Sequence, residues 1–360
     1  MIISPKKGGL GDSIPHFYIP LDKMKILLTL LTFGYCIATS FNCSIPESVE
    51  DRRFDKSKWT ISQFNVEWLF TEPYKDCPGS GCEWNSTVEE YDHMKSIAQV
   101  LLDLDADTVH LCEVQSCTQL MQLIDLLPDS HYKPYLIEGS DTYTGQNVGL
   151  LTRVDPVLPL QRTEDRSDYP IVDSNCEYNG TAGSTGVSKH LITTFSLNGH
   201  NYSMVGAHLL SNPNDPTACA KREAQAQVLQ NTITSIQQYY DIIVLGDFND
   251  FDDTVKDINN NIPNSRVLSM LKGEDGEKKG SYQLYSVGTL VKQSELYTNW
   301  YDPNGDCVVE TSEYSAIDHI LLSKTLYGQV DAVEYYHKYS EGCNITNSDH
   351  YPIKITIGGT

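Results

Sequence analysis

The chain has 360 residues, 40% of them hydrophobic, enough to bury a large core and too many for a disordered chain. Lys and Arg total 26 against 48 Asp and Glu, a formal net charge of −22. That field repels polyanions at range, so nucleic-acid binding by bulk attraction is excluded, and such a partner would need a local basic patch or bridging metal ions.

In chain order, the 23 residues before Met24 carry no periodic pattern and read as an upstream extension, with Met24 a second possible start of translation. The run "MKILLTLLTFGYCIATS" sets Lys25 ahead of a short apolar core and ends in Ala38-Thr39-Ser40, as a secretory signal does. It is too short to span a bilayer, so residues 24–40 are expected to be cleaved, with no stable membrane insertion afterwards. Removing residues 1–40 takes away four Lys and two acids, so the charge moves from −22 by −4 + 2 to −24. Five Asn-x-Ser/Thr sequons, at Asn42, Asn85, Asn179, Asn201 and Asn344, agree with a glycosylated product. It would be secreted or held in the lumen of the secretory or endolysosomal pathway. Nine cysteines remain after cleavage, an odd number. Cys112 lies in apolar "DTVHLCEV" and is expected to stay free, leaving eight to pair. Cys77–Cys82 would close a small loop, and Cys176–Cys219 and Cys307–Cys343 are candidate long-range pairs.

An N-terminal segment, 41–58, leads into one domain, 59–357. "WTISQFNVEWL" alternates as a half-buried strand does, and 71–88 form a loop rich in Pro, Gly and Cys. "VEEYDHMKSIAQVLLDLDA" has helical spacing and stops at Asp105, ahead of the strand "TVHLCEV", which ends on Glu113. A helix at "CTQLMQLIDLLP" and strands at "YKPYLIEG" and "QNVGLLTR" follow, then a polar loop over 161–188. "KHLITTFSLNGHNYSMVGAHLL" is a hairpin turning at Asn198-Gly199 and closing on His208. A long helix, "ACAKREAQAQVLQNTITSIQQYY", feeds the strand "DIIVLGDFND". "SAIDHILLS" is a strand with Asp318 inside it, and "NSDHYPIKITIG" a loop and a final strand.

The polar residues at these strand ends are Asn65, Glu67, Glu113, His208, Asp247, Asn249, Asp318, Asp349 and His350. In layered α/β folds ligand sites form there. Carboxylates and amides suit a hard cation, Mg²⁺ first and Ca²⁺ or Mn²⁺ next, whereas zinc would want more His and Cys. Each residue also has a bland explanation. Asp247 and Asn249 could cap a turn, His208 could be an ordinary strand-end histidine, and Glu67 could be a solvated strand residue. Asp318 resists such an account, because a buried carboxylate needs a partner, and His350 can be one. Lys189, Arg153 and Arg222 are the nearest cations for phosphate, each equally readable as a surface charge or salt-bridge partner. His110 and His190 read as structural.

The motifs "FNVEWL", "LCEVQ", "GAHLLS", "VLGDFND", "AIDHILLS" and "SDHYPI", in that order over about residues 59–357, resemble the endonuclease/exonuclease/phosphatase (deoxyribonuclease-I-like) superfamily. The look is closest to its secreted nuclease branch. The resemblance implies an α/β (α+β) four-layer αββα sandwich of two mostly antiparallel sheets. By the same resemblance Glu113, Asn65, Glu67 and Asp349 would serve the metal, and His208 would donate to the scissile phosphate. Asp247 would orient water, Asn249 would hold a phosphate oxygen, and Asp318 would pair with His350. The expected activity is a monomeric, divalent-metal-dependent phosphodiesterase acting on nucleic acid, DNA before RNA. A sphingomyelinase-type phospholipid phosphodiesterase and an inactive glycosylated binding module are the alternatives.

Overall fold

A computed structural model describes residues 42–71, 84, 86–339, 343 and 345–359. The upstream extension, the signal, the Cys77–Cys82 loop and the sequons at Asn85 and Asn344 lie outside the described residues.

Two large sheets carry the fold. The first contains β1 (Lys58–Leu69), β2 (Thr108–Val114), β3 (Lys133–Leu136), β4 (Asn147–Thr152), β14 (Val330–Tyr335) and β15 (Ile353–Gly358), in the order β14-β15-β1-β2-β4-β3. The second contains β7 (Lys189–Leu197), β8 (His200–His208), β9 (Asp241–Asp247), β10 (Leu284–Ser286) and β13 (Asp318–Ser323), in the order β10-β13-β9-β8-β7. Each sheet has one parallel pair, β1 with β2 and β8 with β9. A parallel pair needs a long crossover. The first is made by α1 (Thr87–Leu104), the second by α3 (Pro216–Ile236).

Local chemistry starts and stops these helices. Ser86 caps α1 through Glu89 N–H, and Asp105 leaves it in the left-handed region. Asp215 caps α3 through Ala218 N–H, with Pro216 in its first turn. The hairpin between β7 and β8 turns on Asn198 and Gly199, both at positive φ, as a two-residue type I′ turn requires.

Period-two alternation then sorts side chains into layers. Trp59, Ile61, Leu150, Phe195, Met204, Ile243, Leu245, Ile320 and Ile355 fill the space between the sheets. Phe64, Val66, Val109 and Leu111 turn outward onto Met94, Ile97 and Leu101 of α1 and onto Leu120 and Leu123 of α2 (Cys117–Asp125). Val205, Val244 and Leu321 meet Leu229 and Ile233 of α3. The result is the expected four-layer αββα sandwich. In its centre Gly206 leaves room for His110, since a Cβ there would lie 2.2 Å from His110 Nε2.

Several short elements were not legible in the sequence. The polar loop 161–188 contains a two-stranded sheet, β5 (Ser167–Tyr169) with β6 (Gly183–Thr185). A helix α4 (Val267–Leu271), a ribbon of β11 (Asn299–Trp300) with β12 (Tyr314–Ser315), a one-turn helix α5 (Lys324–Tyr327) and the strands β10 and β14 also appear. Runs of two to five residues cannot establish a period, and six-residue β14 interrupts its alternation with Asp331-Ala332. Disulfides join Cys176–Cys219 and Cys307–Cys343 as expected, and Cys43–Cys117 in addition. Cys112 is free and buried. Among the described residues no helix is long and apolar enough to cross a membrane.

Candidate active site

Sheet register brings the polar residues to one end of the sandwich. His208, last in β8, lies opposite Asp247, last in β9, and Asp247 lies opposite Asp318, first in β13. In the other sheet the register of β1 against β2 slips between Asn65 and Leu69, and that of β2 against β4 between Cys112 and Val114. Such bulges re-aim side chains. Glu67 (φ 47°), Trp68 (φ 51°), Glu113 (φ 66°) and Asn249 (φ 51°) all adopt the left-handed region that non-glycine residues avoid.

The side chains converge around Asp247. Its Oδ2 accepts from Asn65 Nδ2 at 2.9 Å and lies 3.5 Å from His208 Nε2 and 3.8 Å from His350 Nε2. Its Oδ1 accepts from Asn249 N–H at 2.8 Å, which holds the turn. Behind it runs a buried relay. His350 Nδ1 meets Asp318 Oδ2 at 2.7 Å, and Asp318 Oδ1 accepts from Gln63 Nε2 at 3.1 Å. Gln63 Oε1 in turn meets His110 Nδ1 at 2.5 Å. On the open side, Glu113 Oε1 accepts from Asn65 Nδ2 at 3.2 Å, while its Oε2 accepts from Trp68 N–H at 3.0 Å and from Gln146 Nε2 at 2.7 Å.

Burial and neighbouring charge set the two histidines apart. Burial opposes a charge on His350, but Asp318, Asp349 and Asp247 overcome it and hold the imidazole well above its ordinary pKa. His208 is pushed well below its ordinary value by burial first, then by the charges of Lys189 and His350. Asp247 is raised to about 7 by burial and by the charge of Asp318, against the opposite pull of His350. An imidazolium and a neutral imidazole thus flank one carboxyl group.

The remaining expected residues are also at this end, with some of their groups engaged elsewhere. Glu67 Oε2 accepts Asp349 N–H at 3.0 Å, so it ties β1 to the last loop. The Asp349 side chain is 40% exposed, with Oδ1 3.9 Å from His350 Nε2. Asn249 Nδ2 donates to Leu209 O at 3.2 Å. Of the three candidate cations, Lys189 sits opposite His208 and donates to Gln146 Oε1 at 3.0 Å. Arg153 follows Thr152, which pairs with Thr108 at the far end of β2, and is spent on Asp105 and Asp107. Arg222 is fully buried and holds Asp250 and four backbone carbonyls, so it is no surface charge. His110 and His190 are structural, His190 Nδ1 meeting Val187 O at 2.7 Å. Sequence reasoning missed Gln63 and Gln146, whose amides orient Asp318 and Glu113. Gln63 left a faint signal as a polar residue at an inward position of β1.

The donor set fits a hard divalent cation. Asp247 carries a raised pKa in a cleft that, among the described residues, is lined by five carboxylates and no Lys or Arg, a deficit of positive charge that such an ion would fill. Among the described residues, Asp247, Asp318 and His350 bring ligand atoms within 4.8 Å of one another at this end. Asp318 is already committed to His350 and Gln63, which leaves the more accessible Glu113 and Asp349, with Asn65, as the candidate ligands.

Two packed sheets between helices, with a carboxylate and histidine centre where strands from both sheets end, define the class. The sequence model of the Endonuclease/Exonuclease/phosphatase family matches residues 62–350, and the chain belongs to that family. Its members are hydrolases acting on phosphoesters. Among solved structures, TDP2 from D. rerio, complexed with single strand DNA product, is 18% identical over 83% of this chain and 98% of that one, at TM-score 0.50. The human nocturnin catalytic domain is 16% identical, with 85% and 96% covered at TM-score 0.48. A mannosyl-6-phosphatase from Bacteroides thetaiotaomicron is 16% identical, with 82% and 98% covered at TM-score 0.47. Likeness at such identities is one of fold. No curated protein matches the sequence.

Proposed function

We propose that this chain is a secreted, monomeric, divalent-metal-dependent phosphodiesterase that hydrolyses nucleic acid. One observation carries the mechanism: Asp247 lies between His208, held neutral, and His350, held cationic by Asp318. Asp247 orients water for in-line attack at phosphorus and takes up its proton as the new P–O bond forms, while the ester P–O bond opposite it breaks and the leaving oxygen takes a proton from the imidazolium of His350. The imidazolium of His350 meets the charge growing on the phosphoryl oxygens, and Asp318 keeps its ring charged and aligned. His208 hydrogen-bonds the scissile phosphate, and Asn249 positions one of its oxygens. A divalent cation, Mg²⁺ before Ca²⁺ or Mn²⁺, held by Glu113, Asn65 and Asp349, would supply Lewis-acid neutralisation of the phosphate. Glu67 acts by holding the Asp349 backbone.

The test is to secrete residues 41–360 from a eukaryotic host and incubate them with supercoiled plasmid, each cation in turn or chelator, beside Asp247→Ala. Cation-dependent nicking that the variant lacks is expected. Absence of cleavage of any nucleic acid, with turnover of sphingomyelin instead, would replace this reading by the phospholipid one. Absence of all hydrolysis would leave the binding module.

A further inference from the structure

The catalytic cleft measures about 920 Å³, and among the described residues that line it there is no Lys or Arg. A site that grips a polyanion by its backbone needs cations for the phosphates on either side of the reacting one. Among the described lining residues, two kinds of uncharged group are on offer for the neighbouring units. Tyr301, two residues beyond Asn299, whose backbone bridges to His350, lines the cleft and is 67% exposed as a residue. Asn212 and Asn214, just beyond His208, also line it, and among the described residues no hydrogen bond engages either side-chain amide.

Those amides sit on a fixed loop. Buried Arg222 donates to Leu210 O at 3.1 Å, Ser211 O at 3.2 Å, Asn212 O at 2.9 Å and Pro213 O at 2.9 Å. Asp215, which ends the loop, caps α3. Donors and acceptors on so constrained a backbone lose little freedom on meeting a ligand edge. An exposed aromatic residue and amides on a fixed loop, lining one cleft, are the chemistry that recognises a nucleobase by its face and its edge. A base inside a duplex presents neither its face nor its pairing edge.

Resting on the nuclease reading, we propose that the cleft is a single-strand site. The base beside the scissile phosphate leaves its stack, lies on Tyr301, and is hydrogen-bonded by Asn212 and Asn214.

The experiment compares kcat/KM for wild type, Tyr301→Ala and the double variant Asn212→Ala/Asn214→Ala. The substrates are a single-stranded oligonucleotide, its duplex, and an abasic oligomer with the same phosphates and no bases, each at two salt concentrations. Wild type should prefer the single strand to both other substrates. Tyr301→Ala should lose about 10-fold to 100-fold on the single strand, the worth of one stacked base, and nothing further on the abasic oligomer. The slope of log kcat/KM against log salt should be shallower than about −1, less than two backbone contacts would give. Equal rates on single strand and duplex, an equal loss on the abasic oligomer, or a steep salt slope would overturn the base site while leaving the nuclease standing. Sphingomyelin turnover with no cleavage of any oligonucleotide would overturn the nuclease reading itself.

Discussion

Replacing Arg222 by Met keeps the stem volume and removes the guanidinium. That group is completely buried, with Nε 3.2 Å from Asp250 Oδ2 and its terminal nitrogens shared among four carbonyls. The substitution leaves Asp250 in the interior without its cation, and removing one partner of a buried pair costs about 3–5 kcal/mol. For a domain of this size that is a fall in Tm of roughly 5–8 °C. Asp250 already has a raised pKa, through burial opposed by Arg222, and without the arginine it must rise further. A carboxyl group whose folded pKa exceeds its unfolded value weakens the fold progressively as pH climbs from the unfolded to the folded pKa. The loss should therefore be larger at pH 8 than at pH 5. Adding Asp250→Asn removes the stranded charge and should recover part of it. Thermal and urea unfolding of wild type, both single variants and the double variant, at both pH values, close the cycle. A fall in Tm below about 2 °C, or a double variant less stable than Arg222→Met alone, would refute the assignment of Arg222 as the charge partner of Asp250.

The other expectations concern the centre of the molecule. Asp247→Asn should lower turnover by about 10²–10⁴. With chelator present at pH 8 it should also raise Tm, because the folded pKa of Asp247, about 7, lies above its unfolded value and ionisation works against the fold as pH rises through that window. A lower Tm would show that the charge is not strained. Gly206→Ala places a methyl group against His110 and should cost about 1–3 kcal/mol in denaturant unfolding, and an unchanged midpoint would contradict the packing. The Cys112 thiol is buried and pushed well above its ordinary pKa by that burial. It should ignore Ellman's reagent until the chain unfolds, and a reaction in native buffer would place it at the surface.

Much of the active end was legible before any coordinates, because each piece has a local signature. Alternation sets the direction of β1, β2 and β9, Asn198-Gly199 sets the hairpin that ends on His208, and capping residues bound α1 and α3. A carboxylate in the apolar strand "AIDHILLS" demanded a partner, and His350 is that partner, 32 residues further on. What the order of residues could not convey is pairing across the sandwich. Gln63 reaches Asp318 over 255 positions and Asn65 reaches Asp247 over 182, contacts that exist only because two sheets stack in one register. The sequence leaves Arg222 open as a surface charge or a salt-bridge partner, and it is the buried partner of Asp250; a helix with little amphipathic contrast does not reveal which of its polar residues turns inward. The left-handed backbone at Glu67 and Glu113 has no signal in residue type, since glutamate ordinarily avoids that region, whereas Asn249 is of a type that enters it more often. Sequence determined which groups stand at the strand ends, through periodicity and capping within a few residues. The stacking of the sheets alone decided which of those groups meet, because the energy of meeting lies in burial and charge shared between distant segments.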